Sequence, residues 1–196
     1  METSYQRPEV CNIKFHFRIE ITPEFLSQLE SIKGVRHNNF IVIREKKLVF
    51  TVFHKNGHIN ITGVRDFTKI ELSLKVFNTR FKTNIALKDT QIDNSTSSGY
   101  FKERNINLVG LKNFIKDSPY YRDNTCFSLR PQFFPGAVLR RKGRSTVIFF
   151  KTGKYIIIGA KNRQDIEQTW RAMRALMTAY LKTQQLEKKY VQNADS

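Results

Sequence analysis

The chain of 196 residues carries 34 lysines and arginines against 17 aspartates and glutamates, a net charge of +17, with 40% hydrophobic and 12% aromatic residues. That composition supplies a core for one compact domain or two small ones and excludes a disordered basic tail; the charge points to a polyanionic partner more than to a merely basic soluble surface. No apolar run reaches the ~18 residues of a membrane span, the start METSYQRPEV has no apolar signal stretch, and Cys11 and Cys126 make no disulfide framework, so an intracellular, reducing setting is expected.

In chain order, CNIKFHFRI (11–19) alternates as a strand, with Ile13, Phe15, Phe17 and Ile19 on one face and Asn12, Lys14, His16 and Arg18 on the other. Thr22-Pro23-Glu24 starts a helix, with Thr22 as N-cap and Pro23 at the first helical position. Residues 40–53 read as strands. FHKNGHINITG (53–63) reads as a strand, a tight glycine turn and a second strand, and 66–81 as a helix. A junction falls near LKDTQ (87–91). The pattern then restarts with a strand over 91–101, a helix over 106–115, strands over 133–150 and a second glycine hairpin. A helix over 163–190 follows, its Ile166, Trp170, Met173 and Met177 forming a stripe that packs on a sheet. The expected organisation is a first repeat over 8–86, a second over 87–182, and a helix end with a frayed tail, VQNADS, over 183–196.

The restart is also visible in identities. FHKNGHINITGVRD (53–66) aligns without a gap on FFKTGKYIIIGAKN (149–162). Phe53/Phe149, Lys55/Lys151, Gly57/Gly153, Ile61/Ile157 and Gly63/Gly159 coincide. The same alignment sets His54 opposite Phe150.

The two copies differ on the sheet face turned away from the helices. In the first, Asn60 and Thr62 alternate with core-facing Ile59 and Ile61. In the second, Tyr155-Ile156-Ile157-Ile158 does not alternate, so Ile156 and Ile158 bring apolar side chains to that face. A covering helix or partner would also explain a strand apolar on both sides. A face at once basic and apolar suits nucleic acid, whose phosphates are charged and whose sugar and base faces are apolar. Phe134 adds to this picture, because it directly precedes Pro135-Gly136, a turn where a ring is hard to bury.

The run FFPGAVLRR…VIFFKTGKYIIIGAK, over 133–161, resembles the signature of the TATA-binding protein family: an F-P-G start, an arginine six residues after the phenylalanine, a hairpin ending in T-G-K and a closing G-A-K. The likeness covers roughly residues 8–182. It implies an α+β fold, a saddle of two strand–helix–four-strand–helix repeats sharing one curved ten-stranded antiparallel sheet with helices on the convex face. The concave face of such a protein binds the DNA minor groove. Carried onto this chain, the family's wedge phenylalanines match Phe134 and Phe150 in the second repeat. In the first they match Phe40, with His54 or the neighbouring Phe53 at the hairpin. Its base-reading asparagines match Asn12 and Asn94. Its groove threonines match Thr62 and, replaced, Ile158. Its groove valines match Lys14, Asn60, Thr96 and Ile156, and its phosphate-contacting arginine matches Arg140. The basic residues Arg141, Lys142, Arg144, Lys151 and Lys154 surround these positions.

The resemblance further implies duplex DNA with A·T-rich promoter elements as partner, a B-type general initiation factor as a second partner, a nuclear setting (or a viral transcription site) and no cofactor. Two departures stand out. Lys14, Asn60 and His54 make the first repeat's face more polar than the family pattern, and Arg130-Pro131-Gln132 replaces an acidic E-P-E where the B-type factor docks.

Catalytic chemistry finds little support. His54 and His58 straddle a turn with no further ligand at metal spacing, and no phosphate-binding glycine loop occurs. Cys11 reads as core or sheet-edge packing, and Asp93 as a lone carboxylate without a nearby partner for acid–base work. No small-molecule substrate is expected. The competing readings are a general nucleic-acid-binding saddle, used in genome packaging or RNA handling, and an accessory domain of a nucleic-acid enzyme.

Overall fold

A computed structural model describes residues 5–118 and 125–194. Among them ten strands and four α-helices follow in the order β1 (Glu9–Arg18), α1 (Pro23–Ser31), β2 (Val35–Arg36), β3 (Ile41–Glu45), β4 (Leu48–Phe53), β5 (His58–Val64), α2 (Ile70–Phe81), β6 (Gln91–Tyr100), α3 (Leu108–Asp117), β7 (Thr125–Leu129), β8 (Gly136–Arg141), β9 (Thr146–Phe150), β10 (Lys154–Ala160) and α4 (Arg163–Ala194). Each half therefore runs strand, helix, four strands, helix. The hydrogen-bonded strand order is β2-β3-β4-β5-β1-β6-β10-β9-β8-β7, a single ten-stranded sheet. The chain forms two compact units, Val10–Thr96 and residues 5–9 with those from Ser97 onward.

In the first unit the alternation of the sequence sets the layers. Ile13, Phe15 and Phe17 of β1, Ile41 and Ile43 of β3, Phe50 and Val52 of β4, and Ile59 and Ile61 of β5 are all buried. They pack with Phe25 and Leu29 of α1 and Leu74, Phe77 and Phe81 of α2. Each such side chain contributes about 1.5–3 kcal/mol on burial. Between these residues along the strands, Lys14, His16, Thr51, Asn60 and Thr62 are only half-buried and lie on the face without helices. The second unit repeats the scheme. Ala137, Leu139, Val147, Phe149, Tyr155 and Ile157 of the strands are buried, as are Leu111 and Ile115 of α3 and Ile166, Trp170, Met173 and Met177 of α4. The stripe read from the α4 sequence is thus its packed face.

Local signals end the helices as expected, with differences at the margins. Thr22 Oγ1 accepts the Phe25 N–H at 3.2 Å, and Pro23 opens α1. Asn107 Oδ1 accepts the Gly110 N–H at 3.0 Å and caps α3. The helix predicted from residue 66 begins as a 3-10 turn, Phe67–Lys69, capped by Asp66, and turns α-helical at Ile70. The edge strands β2 and β7 were not legible residue by residue: the first is two residues long, and TCFSL (125–129) has no clean alternation. α4 extends through Ala194 because nothing in its last turns is glycine or proline. The tail expected to fray is therefore helical to that point, and Asp195 and Ser196 lie outside the described residues. Cys11, expected to pack in the core or at a sheet edge, is exposed: it shares the alternation of Ile13, Phe15 and Phe17 but lies near the start of β1, before the residues in register with β5.

Candidate nucleic-acid interface

The helix-free face of the second unit is apolar. Val138 of β8, Ile148 of β9 and Ile156 of β10 sit side by side in register, and Ile158 pairs with Thr146 along the same face. At one end of this face are two rings. Phe134 is 39% exposed, and its ring lies 5.8 Å from that of Phe150 in an edge-to-face contact. Gly136 makes this possible: a β-carbon there would lie 2.6 Å from Phe134 Cε1 and 2.9 Å from Ile148 Cγ2, so only a hydrogen lets the ring rest on the strand. Phe150 is half-buried rather than fully exposed, because Phe134 covers part of it. The neighbouring Phe133 is 80% exposed.

The first unit has an equivalent pair made from a different register. Phe40 and Phe53 stand 5.4 Å apart at the same end of β3 and β4. The ungapped alignment put His54 opposite Phe150, and the structure corrects this. Phe53 pairs with His58 across a four-residue turn (54–57), whereas Phe149 pairs with Tyr155, leaving a three-residue turn (151–153) after Phe150. One extra turn residue shifts the hairpin by one position, so Phe53 takes the outward place that Phe150 takes in the second unit, while His54 lies in the turn. The identical Phe53 and Phe149 are not structural counterparts: Phe149 is in the core.

The first unit's pair continues into a row of rings. His37 stacks on Phe40 at 4.4 Å, Phe53 meets His58 at 5.8 Å, and His58 lies 4.7 Å from His16. Arg18 is the register partner of His58.

Beside this row is a polar cluster. Asp93, at the start of β6, meets Lys14 Nζ at 3.1 Å through one carboxylate oxygen and His16 Nδ1 at 2.6 Å through the other. Sequence reading took Asp93 for a lone carboxylate; the fold gives it two partners, with His16 lying 77 positions away. Burial alone would raise the Asp93 pKa, but hydrogen bonds and charge from Lys14 and His16 hold it below the usual carboxylate range. His58 is held below the usual histidine range by burial first and by the nearby His16, with Asn60 and Asp93 partly opposing. Asn60 is the register neighbour of both His16 and Thr51, and Thr62 pairs with Val49. Asn12 Oδ1 accepts the Gly63 N–H at 2.8 Å at a break in the β1–β5 register, which sets which end of its amide is presented. Asn94 and Thr96 are half-buried on β6, alternating with the fully buried Ser95 and Ser97.

The basic residues divide between two faces. Arg140 is exposed on the helix-free side, and Lys142 and Lys151 are exposed in the turns. Arg141 and Arg144 instead line a cleft with Gln168, Thr169 and Arg171 of α4, and Arg144 hydrogen-bonds Gln168. They therefore do not surround the rings as the sequence suggested. Among the described residues no group of three or more His, Cys, Asp and Glu is placed to hold a metal ion, and no helix is long and apolar enough to cross a membrane. His16, His37, His58 and Asp93 were not predicted as site residues. The one signal for the first and third was their place on outward positions of alternating strands.

The fold and these faces define a class: a two-repeat antiparallel sheet, helices on one side and paired rings at the hairpin end of the other. Residues 89–180 match the family model described as transcription factor TFIID, or TATA-binding protein. A curated TATA-box-binding protein from Saccharomyces cerevisiae is 29% identical over 144 residues, covering 71% of this chain and 56% of that protein's length. The solved structure of the Methanococcus jannaschii TATA-binding protein superposes with a TM-score of 0.69 at 18% identity, over 89% of this chain and 99% of that one. The chain is thus similar to the TATA-binding protein family, and its α+β fold is the one the sequence resemblance implied.

Proposed function

We propose that the chain is a non-catalytic transcription initiation factor that binds duplex DNA in the minor groove and bends it. The observation that carries this reading is the recurrence of a phenylalanine pair, Phe40–Phe53 and Phe134–Phe150, at the hairpin end of the helix-free face in each unit. Rings in that position can enter a base step. In minor-groove wedge proteins, the TATA-binding protein among them, unstacking costs about a few kcal/mol per step and is offset by the added contact surface of bent DNA. Easily unstacked TA-type steps lower that cost, which favours A·T-rich promoter elements.

In this reading Ile156, Ile158, Val138 and Ile148 lie against sugar and base edges. Asn12, Asn94, Thr62 and Thr96 reach base acceptors, and Lys14 and Asn60 add polar contacts in the first repeat. Arg140, Lys151 and Lys154 meet phosphates. The protein works in the nucleus as a platform for polymerase assembly. Its B-type partner is expected to present a more acidic surface to Arg130-Pro131-Gln132 than one suited to an acidic E-P-E.

End-to-end energy transfer on doubly labelled short duplexes tests this. A TATA-containing duplex should shorten sharply on binding and a G·C-rich one should not. Phe134→Ala and Phe150→Ala should each lose most of the shortening while keeping the fold. Equal binding to both duplexes without shortening would replace this reading with a general nucleic-acid clamp.

A further inference from the structure

We infer that Asp93 is a specificity-determining residue that selects a G·C pair at one position of the DNA element met by the first repeat. This rests on the minor-groove reading above and deepens it.

The carboxylate lies among the outward groups of the first unit's sheet. It is bound to Lys14 and His16, both on that face, and its side chain stays 27% exposed. A negative group on a nucleic-acid face opposes phosphate attraction in a protein of charge +17, so its position there calls for a compensating role. Lys14 and His16 supply part of the compensation by placing two donors against it, and they keep it ionised.

The minor groove offers the rest. An A·T or T·A pair presents only acceptors there, adenine N3 and thymine O2, whereas a G·C pair adds one donor, the guanine 2-amino group. A carboxylate has acceptor positions only, about four across its two oxygens. Facing an A·T pair it meets acceptors and is repelled; facing a G·C pair it accepts the amino hydrogen. Lys14, whose ammonium has three donors, can serve the acceptors of the same or the adjoining pair while holding Asp93.

The apolar face of the second unit has the opposite preference. Val138, Ile148, Ile156 and Ile158 offer a guanine amino group no acceptor, and burying that donor without a partner is costly. The two repeats thus read different base pairs: the second demands A·T, and the first accepts or requires G·C at the pair under Asp93.

Inosine provides the test, because an inosine·C pair differs from G·C only in lacking the 2-amino group. The probe is a TATA-containing duplex and a panel of derivatives in which each pair in turn is A·T, G·C or inosine·C. Binding is measured by fluorescence anisotropy with the full chain. At one position the wild type should bind G·C about tenfold more tightly than inosine·C, within the discrimination of a good base contact. Asp93→Ala should abolish that preference, and Asp93→Asn, which keeps an acceptor oxygen, should retain part of it. Matched thermal melting of the three proteins confirms that the fold is kept. Duplex binding with no G-over-inosine preference at any position, or a preference unchanged in Asp93→Ala, would overturn the inference alone. No binding to any duplex would overturn the minor-groove reading and this inference with it.

Discussion

His58 shows how a single side chain ties the polar face to stability. Burial and the neighbouring His16 lower its pKa from an ordinary value of 6.5. The unfolded chain therefore takes up a proton at a higher pH than the folded chain does. The native state is favoured above about pH 6.5 and loses stability as pH falls through the lowered folded value. Asp93, lowered from 3.8, acts with the same sign at more acid pH: its contribution is present above 3.8 and is lost as pH falls through the folded value. We expect urea midpoints to decline between about pH 7 and pH 5, and His58→Gln to flatten that decline. A wild-type midpoint that is constant over this range would contradict the depressed His58 value. Asn12 belongs to the same scale: its amide oxygen accepts from Gly63, whose φ of 96° and tight fit against the Lys47 carbonyl exclude any other residue.

At the scale of elements, the two faces of the sheet separate stability from recognition. α1 is capped by Thr22 and packs Phe25 and Leu29 into the core, on the side opposite the rings. Thr22→Ala removes the acceptor for the Phe25 N–H and should cost about 1 kcal/mol, with DNA affinity unchanged once the protein is folded. Denaturant titration and anisotropy on the same sample check both halves of that statement. The hairpins tell the complementary story. Their glycines and flanking apolar runs were readable, and the strands formed where expected. The partner of each outward ring was not readable, because it depends on turn length. Four turn residues instead of three make Phe53, not His54, the counterpart of Phe150.

For the whole molecule, the charge of +17 is a statement about salt. Each phosphate neutralised makes the slope of log affinity against log salt more negative by about 0.9. Arg140 stands exposed on the helix-free side, whereas Arg144 is tied to Gln168 of α4. Arg140→Ala should therefore make the slope shallower by about 0.9, and Arg144→Ala should leave it unchanged. Equal effects of the two, measured over a potassium chloride series, would mean that the helix side also meets DNA.

By itself the sequence determined the duplication, the order of strand and helix in each copy, the glycine hairpins, and the buried faces of β1, β5 and α4. These follow from local chemistry: periods of two and of 3.6, a threonine before a proline, glycines at turns. The family signature over 133–161 belongs to the same level, since it is a run of adjacent residues. Only the tertiary structure decided the chemistry of the helix-free face. The bridge from Asp93 to Lys14 and His16, the row of rings from His37 to His16, the bond from Asn12 to Gly63 and the turning of Arg144 toward α4 each join residues far apart in the chain. Such contacts depend on strand register and turn length, where a shift of one residue moves a side chain to the other face of the sheet.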